Sequence, residues 1–528
     1  MKACLLSMFI AGTVLMLSSC KKDSQDGPRL DISGFGAVVF VGGDAISIYG
    51  SGFDPDPEKN TVLFNGVAGE VATASPNRLQ VIAPLLATSG KITVTAHGQS
   101  VTSQQSYTIV SLLQGVYYDN FILTSDKQYL LRGNVEFRSK LIILPGTVIY
   151  GEKQTRGGLT ASDVDFEGTA EHPIVFTSDQ PPGSRYPGDW KGISINPGNG
   201  ILQYVRVEYA GYQAPAFTIF PIPGGSYQYL QVSYSGNVGF LLRGTQDWVA
   251  KPVSCFIHHL IALGCQGSDF HLYGGAITAQ FGLGLKDPYL SDVGRSSGIT
   301  TVMEHASNMD QLSNFTLVGY NPDARNIPGA GPTVTRNAGS GVAVGSSFST
   351  NGSASVWPTS VVICNSVIAA SWRSAFALFA WNNYELVPST YTIAFRNNFV
   401  TGTSAAELPE RGGVLGRMDM GTLSGTFLDI RRDPKLSLFA SLNDTTRQLS
   451  FSRSKDDLGI RNLVDYNRLH NPVLLPAAGS VLLSSASFPY GSLSDSPFFD
   501  KNVQYVGAFG TEDWTKPWGN FDPQQTKY

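Results

Sequence analysis

The stretches YVRVEYAG, residues 204–211, and YLQVSYSG, residues 229–236, are two copies of one pattern. Tyrosine, valine, tyrosine and glycine recur in register, and HLIALGC from His259 is a weaker third copy. A spacing of about 20–30 residues, with one short strand and one turn in each copy, is typical of stacked repeats. No copy has apolar residues three and four apart, which excludes helical and leucine-rich repeats.

Later copies of the pattern begin with asparagine. NFTLVG starts at Asn314, NSVIAA at Asn365 and NNFVTG at Asn397. Asparagine tolerates the left-handed backbone conformation, and its amide can hydrogen-bond a neighbouring repeat, so we expect these residues at stacked bends. Parallel strands about 4.8 Å apart, with buried aliphatic residues, fit such a pattern. The sequence therefore predicts an all-β protein whose residues 112–528 form a right-handed parallel β-helix.

Residues 167–195, EGTAEHPIVFTSDQPPGSRYPGDWKGISI, combine carboxylates, an imidazole, an arginine and aromatic rings in one turn-rich stretch. Strands are predicted within residues 141–151, 168–178 and 190–195, and residues 178–190 are predicted to form a protruding loop. The stretch resembles a signature of secreted β-helix proteins of the Bacteroidetes, and YVGAFGTEDWTKPWGNFDP, residues 505–523, is similar to that family's ending. The resemblance implies that these residues are scaffold, and it implies no activity.

Residues 31–110 contain short alternating runs separated by turns. Alternation at period two predicts strands with one buried face, and turns about every ten residues fit a small β-sandwich. Asn65 and Gly66 predict a tight hairpin turn, because both residues tolerate positive φ. In IYGSGF, NTVLFNG, VIAP and GKITVT the segment resembles the IPT/TIG family of immunoglobulin-like domains. The resemblance implies a spacer or binding module rather than a catalytic domain.

Residues 1–19 predict an export signal, because Lys2 precedes the run CLLSMFIAGTVLML, which is too short for a stable membrane span. The run ends in LSSC, which resembles the bacterial lipobox. The resemblance implies a mature chain that begins at an acylated Cys20, with the lipid bilayer of the outer membrane as its partner. An ordinary signal peptide is the alternative. Residues 20–30 are predicted to be a flexible tether, and orientation toward the cell surface or the periplasm stays open.

The composition argues against several classes of function. Charged residues make up 15% of the 528 residues and the net charge is -4, whereas a nucleic-acid-binding protein needs a basic face for phosphates. Beyond Cys4 and Cys20, the chain has Cys255, Cys265 and Cys364, an odd number that argues against a disulfide framework. A Cys255–Cys265 bridge and buried free thiols both stay open. The chain has no CxxC pair, and we predict no metal and no cofactor.

A polysaccharide lyase or glycoside hydrolase is the alternative function for such a fold. Hydrolysis needs two carboxyl groups at a set separation, and a lyase needs a base that removes the proton beside a uronate. The mixed candidates are Asp456 with Asp457, Glu304 with His305 and Asp310, and Asp269 with His271. His258 and His259 lie in one predicted strand and are expected to point to opposite faces. None of these sets is specific, so we predict a protein without catalytic activity.

Aromatic residues favour a binding function. All seven tryptophans lie after residue 112, and SWRSAFALFAWNNYELV brings rings, amides and an arginine close together in sequence. The candidate glycan-binding residues are Trp372, Arg373, Trp381, Asn382, Asn383 and Tyr384. Rings stack on the apolar face of a sugar while amides bind its hydroxyl groups, although tryptophans that fill a core explain the same pattern. We predict a non-catalytic, lipid-anchored envelope protein that binds polysaccharide or acts as a surface adhesin.

Overall fold

Strands account for almost all of the regular structure. The computed structural model describes residues 29–222, 225–244, 255–274, 277–287, 298–303, 309–319, 340–346, 360–369, 374–380, 392–401, 418–419, 427–428, 449–452, 472–488 and 496–528. Within these ranges the helical elements are two short 3-10 helices, Pro57–Lys59 and Val481–Ser484. The expected all-β class is therefore confirmed. The described chain divides into two units, one of residues 29–36 and Gly42–Tyr107, the other of Ala37–Val41 and Thr108–Tyr528.

The N-terminal strands form a small antiparallel system. They are β1 (Asp31–Phe35), β2 (Val39–Phe40), β3 (Ala45–Ser51), β4 (Thr61–Phe64), β5 (Val67–Ser75), β6 (Arg78–Ile82), β7 (Gly90–Ala96) and β8 (Gln99–Ile109). The pairing order is β1-β3-β6-β5-β4-β7-β8-β2, antiparallel throughout except where β8 meets β2.

Alternation along these strands produces their core, as the sequence predicts. In β3, Ile46 and Ile48 are buried while Tyr49 is exposed. The predicted hairpin turn joins β4 to β5, with Asn65 at φ 46° and Gly66 at φ 90°. Positive φ at both central residues is what a tight two-residue turn requires. The immunoglobulin-like sandwich expected for this segment is supported.

The second unit contains many short strands. In chain order they are β9 (Ser111–Tyr117), β10 (Phe121–Leu123), β11 (Gln128–Phe137), β12 (Leu141–Ile143), β13 (Val148–Gly151), β14 (Gly158–Ser162), β15 (Val164–Glu167), β16 (Ile174–Ser178), β17 (Gly192–Asn196), β18 (Leu202–Glu208), β19 (Phe217–Ile219), β20 (Ser226–Ser233), β21 (Phe240–Arg243), β22 (Cys255–Leu263), β23 (Phe270–Tyr273), β24 (Ile277–Leu285), β25 (Ile299–Met303), β26 (Met309–Val318), β27 (Ser340–Ser346), β28 (Ser360–Cys364), β29 (Val367–Ala369), β30 (Ser374–Ala380), β31 (Thr392–Arg396), β32 (Asn398–Thr401), β33 (Met418–Asp419), β34 (Phe427–Leu428) and β35 (Leu449–Ser452).

Parallel pairing joins a strand to one that follows about one sequence repeat later. β18 pairs with β20, β20 with β22, β22 with β24 and β24 with β26, all in parallel. One column of paired residues contains Val205, Leu230 and Leu260 on successive strands. In the next strands of the same column, Gly282 pairs with Leu260 on one side and with Phe315 on the other. A Cβ atom on Gly282 would overlap the Phe315 ring, so this position requires glycine. Within the described ranges, twenty-five strands are linked by parallel pairing into one sheet.

Left-handed residues mark the same bend in successive repeats. Tyr204, Tyr229 and His259 have φ of 51°, 56° and 57°. Their rings stack, with centroids 4.4 Å apart for the two tyrosines and 4.6 Å apart for Tyr229 and His259. Non-glycine residues rarely adopt this conformation, so its recurrence shows that stacking across repeats stabilises the bend.

Asparagines continue this bend in the later repeats. Asn314, Asn365 and Asn397 have φ of 59°, 48° and 49°. The side-chain amide of Asn397 donates to Oδ1 of Asn365 at 2.7 Å. The expectation that these asparagines occupy left-handed bends and bond a neighbouring repeat is confirmed.

The strands beyond this bend are buried on both faces. Alternate residues, among them Val232 and Ala262, enter a long inner core. Their neighbours Ile261 and Leu263 pack on the opposite side in a second cluster, here called the outer core. The outer core also contains Leu474, Leu482, Val506, Ala508, Phe509 and Trp518. Where apolar groups cover both faces, a strand needs no polar side, as in residues 260–263, LIAL, which lie alternately in the inner and the outer core.

Candidate functional site

The predicted site residues lie largely outside the described part of the chain. Outside it are Cys20, Trp372, Arg373, Trp381, Asn382, Asn383, Tyr384, Glu304, His305, Asp456 and Asp457. The structure reports on the remaining candidates, which are Asp269, His271, Asp310, the His258–His259 pair and the loop of residues 178–190.

Two tryptophans of this unit are packed inside it. The Trp190 ring is fully buried and lies against Gly151, where any Cβ atom would overlap it. Its Nε1 donates to the carbonyl oxygen of Glu208 at 2.7 Å. Trp518 is 1% exposed and donates to the carbonyl oxygen of Trp514 at 2.9 Å. For these residues the core-filling alternative holds, because a buried indole with a satisfied N–H offers no surface to a ligand.

Asp269 is held in a buried ion pair. Lys286 Nζ lies 2.8 Å from its Oδ1 and also donates to the carbonyl oxygens of Cys265, at 3.3 Å, and Gly267, at 2.5 Å. Burial raises the pKa of Asp269 to about 6, against the lowering effect of Lys286. Three acceptors therefore surround the ammonium group, as its three donors require. Cys265 is a free, buried thiol, so it forms no bridge with Cys255.

Asp310 is also fully buried, and His271 is half-buried. Asp310 accepts from the backbone N–H of Ile277 at 3.0 Å and from Thr301 Oγ1 at 2.7 Å. Burial raises the pKa of Asp310 to about 6 and lowers that of His271 to about 4. Asp310 therefore has no exposed surface at which to meet a polymer, and the Nε2 atom of the half-buried His271 is enclosed.

His258 and His259 come together, and the expectation that they point to opposite faces is wrong. Their Nδ1 atoms are 2.5 Å apart, because the left-handed conformation of His259 interrupts the alternation of the strand. Burial lowers the pKa of His258 to about 4, and burial together with His258 lowers that of His259 to about 3. His259 also lies edge-on to Trp514, with ring centroids 4.8 Å apart. The pair is a neutral part of an aromatic stack.

The loop of residues 178–190 is closed by a buried carboxylate. Asp189 Oδ1 lies 2.8 Å from Lys153 Nζ. Its Oδ2 accepts from Ser178 Oγ at 2.7 Å and from the backbone N–H of Tyr186 at 2.9 Å. Both oxygens of Asp189 therefore hold the loop in place, which supports the scaffold interpretation of this stretch.

Two further acids lie next to Asp189. Burial raises the pKa of Asp179 to about 6, an effect that Glu152 and Asp189 increase and a hydrogen bond from Gln180 opposes. Glu152 lies 2.8 Å from Arg132 Nη2 and accepts from Thr155 Oγ1 at 2.6 Å. Each acid has structural donors of its own.

An exposed aromatic surface lies beside this loop. Tyr212 is 36% exposed and Tyr186 is 56% exposed. The guanidinium of Arg156 lies 4.1 Å from the centroid of the Tyr212 ring. Arg156 Nη1 also donates to the carbonyl oxygens of Gly188, at 3.3 Å, and Asp189, at 3.0 Å. The cation thus fixes one face of the tyrosine and leaves ring surface open to solvent.

Polar side chains of neighbouring turns extend this surface. Gln213 is exposed and Asn237 is half-buried in the following repeat. The turns stack closely, since a Cβ atom on Gly236 would lie 2.9 Å from the Gly188 Cα. We call Arg156, Tyr186, Tyr212, Gln213 and Asn237 the tyrosine face. Rings on such a surface can stack on a sugar and amides can bond its hydroxyl groups.

Sequence reasoning missed the tyrosine face. Its members are scattered over three turns, and what joins them is the parallel register of the repeats. The available signal was the position just after each repeated tyrosine–small residue–glycine motif, YAGYQ at residues 209–213 and YSGN at residues 234–237. That position recurs at the outside of the turns.

The described ranges show neither a metal-binding cluster nor a membrane-spanning helix. There, no group of three or more His, Cys, Asp and Glu side chains is placed to hold a metal ion. Also within those ranges, no helix has the length and apolar character needed to cross a membrane.

Comparison with known proteins gives limited matches. No curated protein matches the chain. An auxiliary nutrient binding protein from Bacteroides thetaiotaomicron VPI-5482 is 21% identical, over 17% of this chain and 24% of that chain, with a TM-score of 0.15. An auxiliary nutrient binding protein from Bacteroides ovatus ATCC 8483 is 19% identical, over 17% of this chain and 24% of that chain, with a TM-score of 0.14. The chain thus spans about a quarter of the length of these proteins, and nothing about its function follows from them.

A family match covers the N-terminal sandwich. Residues 35–109 match the model of the IPT/TIG domain family. This is the segment of strands β1–β8, in which the sequence shows the Gly50–Gly52–Phe53 and Asn65–Gly66 features. Residues 35–109 are therefore an IPT/TIG domain.

Proposed function

We propose that this protein is a non-catalytic polysaccharide-binding protein of the cell envelope, anchored to the outer membrane by an acylated Cys20. In this proposal the IPT/TIG domain is a spacer near the anchor, and the second unit is a right-handed parallel β-helix. The in-register parallel pairing of strands one repeat apart supports the β-helix. Parallel strands joined by crossovers are right-handed in nearly all proteins, which supports the handedness.

The observation that carries the proposal is the Tyr212 ring held by Arg156 at 4.1 Å beside the exposed Tyr186. A ring that is already fixed loses little conformational entropy when a ligand stacks on it. Gln213 and Asn237 add amides on adjoining turns. The site offers few contacts, and part of their binding free energy is lost in ordering the flexible, hydrated polysaccharide. We therefore expect a dissociation constant in the roughly micromolar to millimolar range for a single site. Many anchored copies can bind one polymer together, which raises the effective affinity.

The cluster of Trp372, Arg373, Trp381, Asn382, Asn383 and Tyr384 is proposed as a second glycan-binding site. It has the same chemistry as the tyrosine face, namely rings beside amides and an arginine. Two separate sites on one chain would bind a polymer more tightly than either site alone.

The contacts of the acids support binding rather than hydrolysis. Asp189 and Glu152 are occupied by donors of the loop and the neighbouring strand. Asp269 is occupied by Lys286. A hydrolase needs one carboxylate that is open to a water molecule and a second that is open to the glycosidic oxygen.

Electrophoresis in native gels that contain polysaccharides tests the binding site. We expect Tyr212→Ala to lose most of the retardation on the polysaccharides that retard the parent, with an unchanged melting temperature. Tyr118→Ala is the matched control, because Tyr118 is 67% exposed and also has an arginine, Arg138, 5.3 Å from its ring centroid. If folded Tyr212→Ala and Tyr186→Ala proteins migrate like the parent on every retarding polysaccharide, the tyrosine face is not the site.

The same gels test the second site with Trp372→Ala and Trp381→Ala. Folded variants that keep full retardation would contradict it, and loss of folding in both would assign these rings to a core. An absorbance assay at about 235 nm for unsaturated uronates, with a reducing-sugar assay, tests for catalysis. Product formation by the parent would contradict the non-catalytic proposal.

Membrane fractionation tests the anchor. We expect Cys20→Ala to release the protein from the outer-membrane fraction, because acyl chains on Cys20 are the proposed attachment. Cys364→Ala is the control, since Cys364 is a buried thiol. Retention of the Cys20→Ala protein in the membrane would contradict the lipobox interpretation.

A further inference from the structure

Residues 496–528, here called the C-terminal segment, follow the flank of the second unit without forming a strand. From Gly507 onward the segment runs against the order of the repeats. The N–H of Gly507 donates to the carbonyl oxygen of Asn365 at 2.8 Å, the Trp514 ring meets His259, and the carbonyl oxygen of Pro523 accepts from Arg185 at 2.6 Å. The segment therefore crosses many repeats, each of which contributes a small number of contacts.

Glutamine side chains of the flank bind the backbone of the segment in a bidentate manner. Gln280 donates to the carbonyl oxygen of Asp500 at 3.1 Å and accepts from its N–H at 2.9 Å. Gln231 donates to the carbonyl oxygen of Asn520 at 2.5 Å and accepts from its N–H at 2.8 Å. Both glutamines are fully buried. An amide that satisfies the backbone N–H and C=O of one residue replaces the partner that a neighbouring strand would supply.

Other side chains of the flank recognise the backbone in the same way. Asn314 donates to the carbonyl oxygen of Tyr505 at 2.7 Å. Thr316 Oγ1 accepts from the N–H of Ala508 at 2.9 Å. These contacts bind backbone groups of the segment, which runs in turns and bends, rather than particular side chains.

Aromatic residues anchor the middle of the segment. The Trp518 ring meets the stacked rings of Tyr204 and Tyr229 edge-on, with centroids 6.0 Å and 5.8 Å away. Trp514 stacks on Phe509 at 5.1 Å. A buried tryptophan, Trp518, with backbone hydrogen bonds on either side of it, is the arrangement expected of a tightly held peptide.

The last residues of the segment fit less completely. Tyr528 Oη is hydrogen-bonded to Glu208, at 2.6 Å and 2.7 Å from the two carboxylate oxygens. Beside it, Thr177 Oγ1 and Tyr209 Oη are buried without a protein partner, and so is Gln524 Oε1. Unpaired buried polar groups lower the stability of an interface, so this end should open first.

We propose that this flank is a peptide-binding groove and that residues 496–528 are its resident ligand, able to bind as a separable peptide. The ligand is supplied by the same chain in this structure and can be supplied equally by a second copy of the chain. Recognition through side-chain amides and two tryptophans does not require covalent continuity with the strands. Exchange of such a segment between copies would link neighbouring molecules without any new contact surface. The proposal is independent of polysaccharide binding.

The experiment uses the folded full-length chain with a protease site placed at residues 491–494. After cleavage, we expect the released segment to co-elute with the body in gel filtration. An excess of a fluorescein-labelled synthetic peptide of residues 496–528 should then exchange into the groove, seen as a rise in fluorescence anisotropy. A scrambled peptide of the same composition is the control and should not bind.

Variants of the flank test the assigned contacts. Gln231→Ala and Gln280→Ala should each weaken labelled-peptide binding by about tenfold, the loss expected for a buried bidentate hydrogen bond. Gln203→Ala is the matched control, because Gln203 donates within the body, to the carbonyl oxygen of Gly168. The control should bind the peptide like the parent.

Three results would overturn the proposal. The first is a cleaved body, folded or unfolded, that loses the segment and cannot rebind the peptide. The second is a segment that stays bound but never exchanges with a hundredfold excess of peptide. The third is equal binding of the scrambled peptide. Hydrogen exchange adds a second measurement, in which amides of residues 522–528 should exchange before those of residues 505–520.

Discussion

The two cores of the second unit are made by the same strands but by different means. In the inner core, like residues stack on like across repeats, as Val205, Leu230 and Leu260 do. In the outer core the strands meet the C-terminal segment, which lies far away in the sequence and has no repeat. Repetition can therefore specify one face of a stack of strands, while the other face needs a partner that matches it residue by residue.

In the outer core, both the strands and the C-terminal segment that covers them change from polar to apolar along the flank. One column of paired residues runs from Arg206 and Gln231 to Ile261 and Leu283. The segment changes in the same direction, since its polar end meets Arg206 and Gln231 while Val506, Ala508 and Phe509 lie in the apolar cluster. Antiparallel placement along the stack brings like surfaces together, so apolar groups are buried against apolar groups and most polar groups meet a donor or acceptor. Arg206 Nε, Tyr209 Oη and Gln524 Oε1 are buried exceptions.

The largest effect is expected from Trp190→Ala in the inner core. The ring is fully buried and its N–H is bonded, so its removal leaves a cavity that should lower the free energy of unfolding by about 3–5 kcal/mol. Urea denaturation and hydrogen exchange would measure the loss, and exchange should rise throughout the strands. Unchanged melting together with lost polysaccharide retardation would reverse the scaffold assignment.

Trp518→Ala makes the corresponding change in the outer core and should cost less, about 3 kcal/mol. The segment that carries Trp518 can open by itself, so exchange should rise in residues 505–528 while the inner strands stay protected. Uniform loss of protection, as in Trp190→Ala, would show that the two cores form one cooperative unit and would remove the distinction drawn between them.

The smallest effect is expected at the histidine pair where the outer core meets the bend. The pKa of His258 is lowered to about 4, so the folded state binds fewer protons than the unfolded chain below pH 6.5. The stability that this group contributes is complete above that pH and is lost as the pH falls toward 4. The loss should reach about 2 kcal/mol at pH 5.

His258→Gln should remove this part of the pH dependence, because Gln228 and Gln280 already occupy the neighbouring positions of the same column. His172→Gln is the control, since His172 is exposed. Asp179, Asp269 and Asp310 have raised pKa values and act in the opposite direction, so the difference between parent and variant is the quantity to measure. An unchanged difference from pH 7 to pH 4.5 would show that the pair is not buried as a neutral unit.

The candidate site shows where sequence reasoning is weak. Tyr212 and Arg156 form one surface through a contact of 4.1 Å, and no local pattern links two residues so far apart. The prediction that His258 and His259 point to opposite faces is wrong for a local reason. Side chains alternate between faces only in a regular strand, and His259 has a left-handed φ of 57°. The signal was present, since His259 occupies the position of Tyr204 and Tyr229 in the repeat. At bend positions of stacked repeats, period-two alternation therefore does not predict which face a side chain points to.

The sequence alone determined the all-β class, the IPT/TIG sandwich and the stacked asparagine bends, because each depends on residues close in the chain. Period-two alternation, an Asn–Gly turn and a repeated bend residue act locally. Only the tertiary structure decided what covers the second face of the strands, which tryptophans are buried and which side chains meet at the tyrosine face. Uninterrupted apolar runs such as LIAL, residues 260–263, show that both faces are covered but do not identify the covering segment, because burial is non-directional and any apolar partner satisfies it.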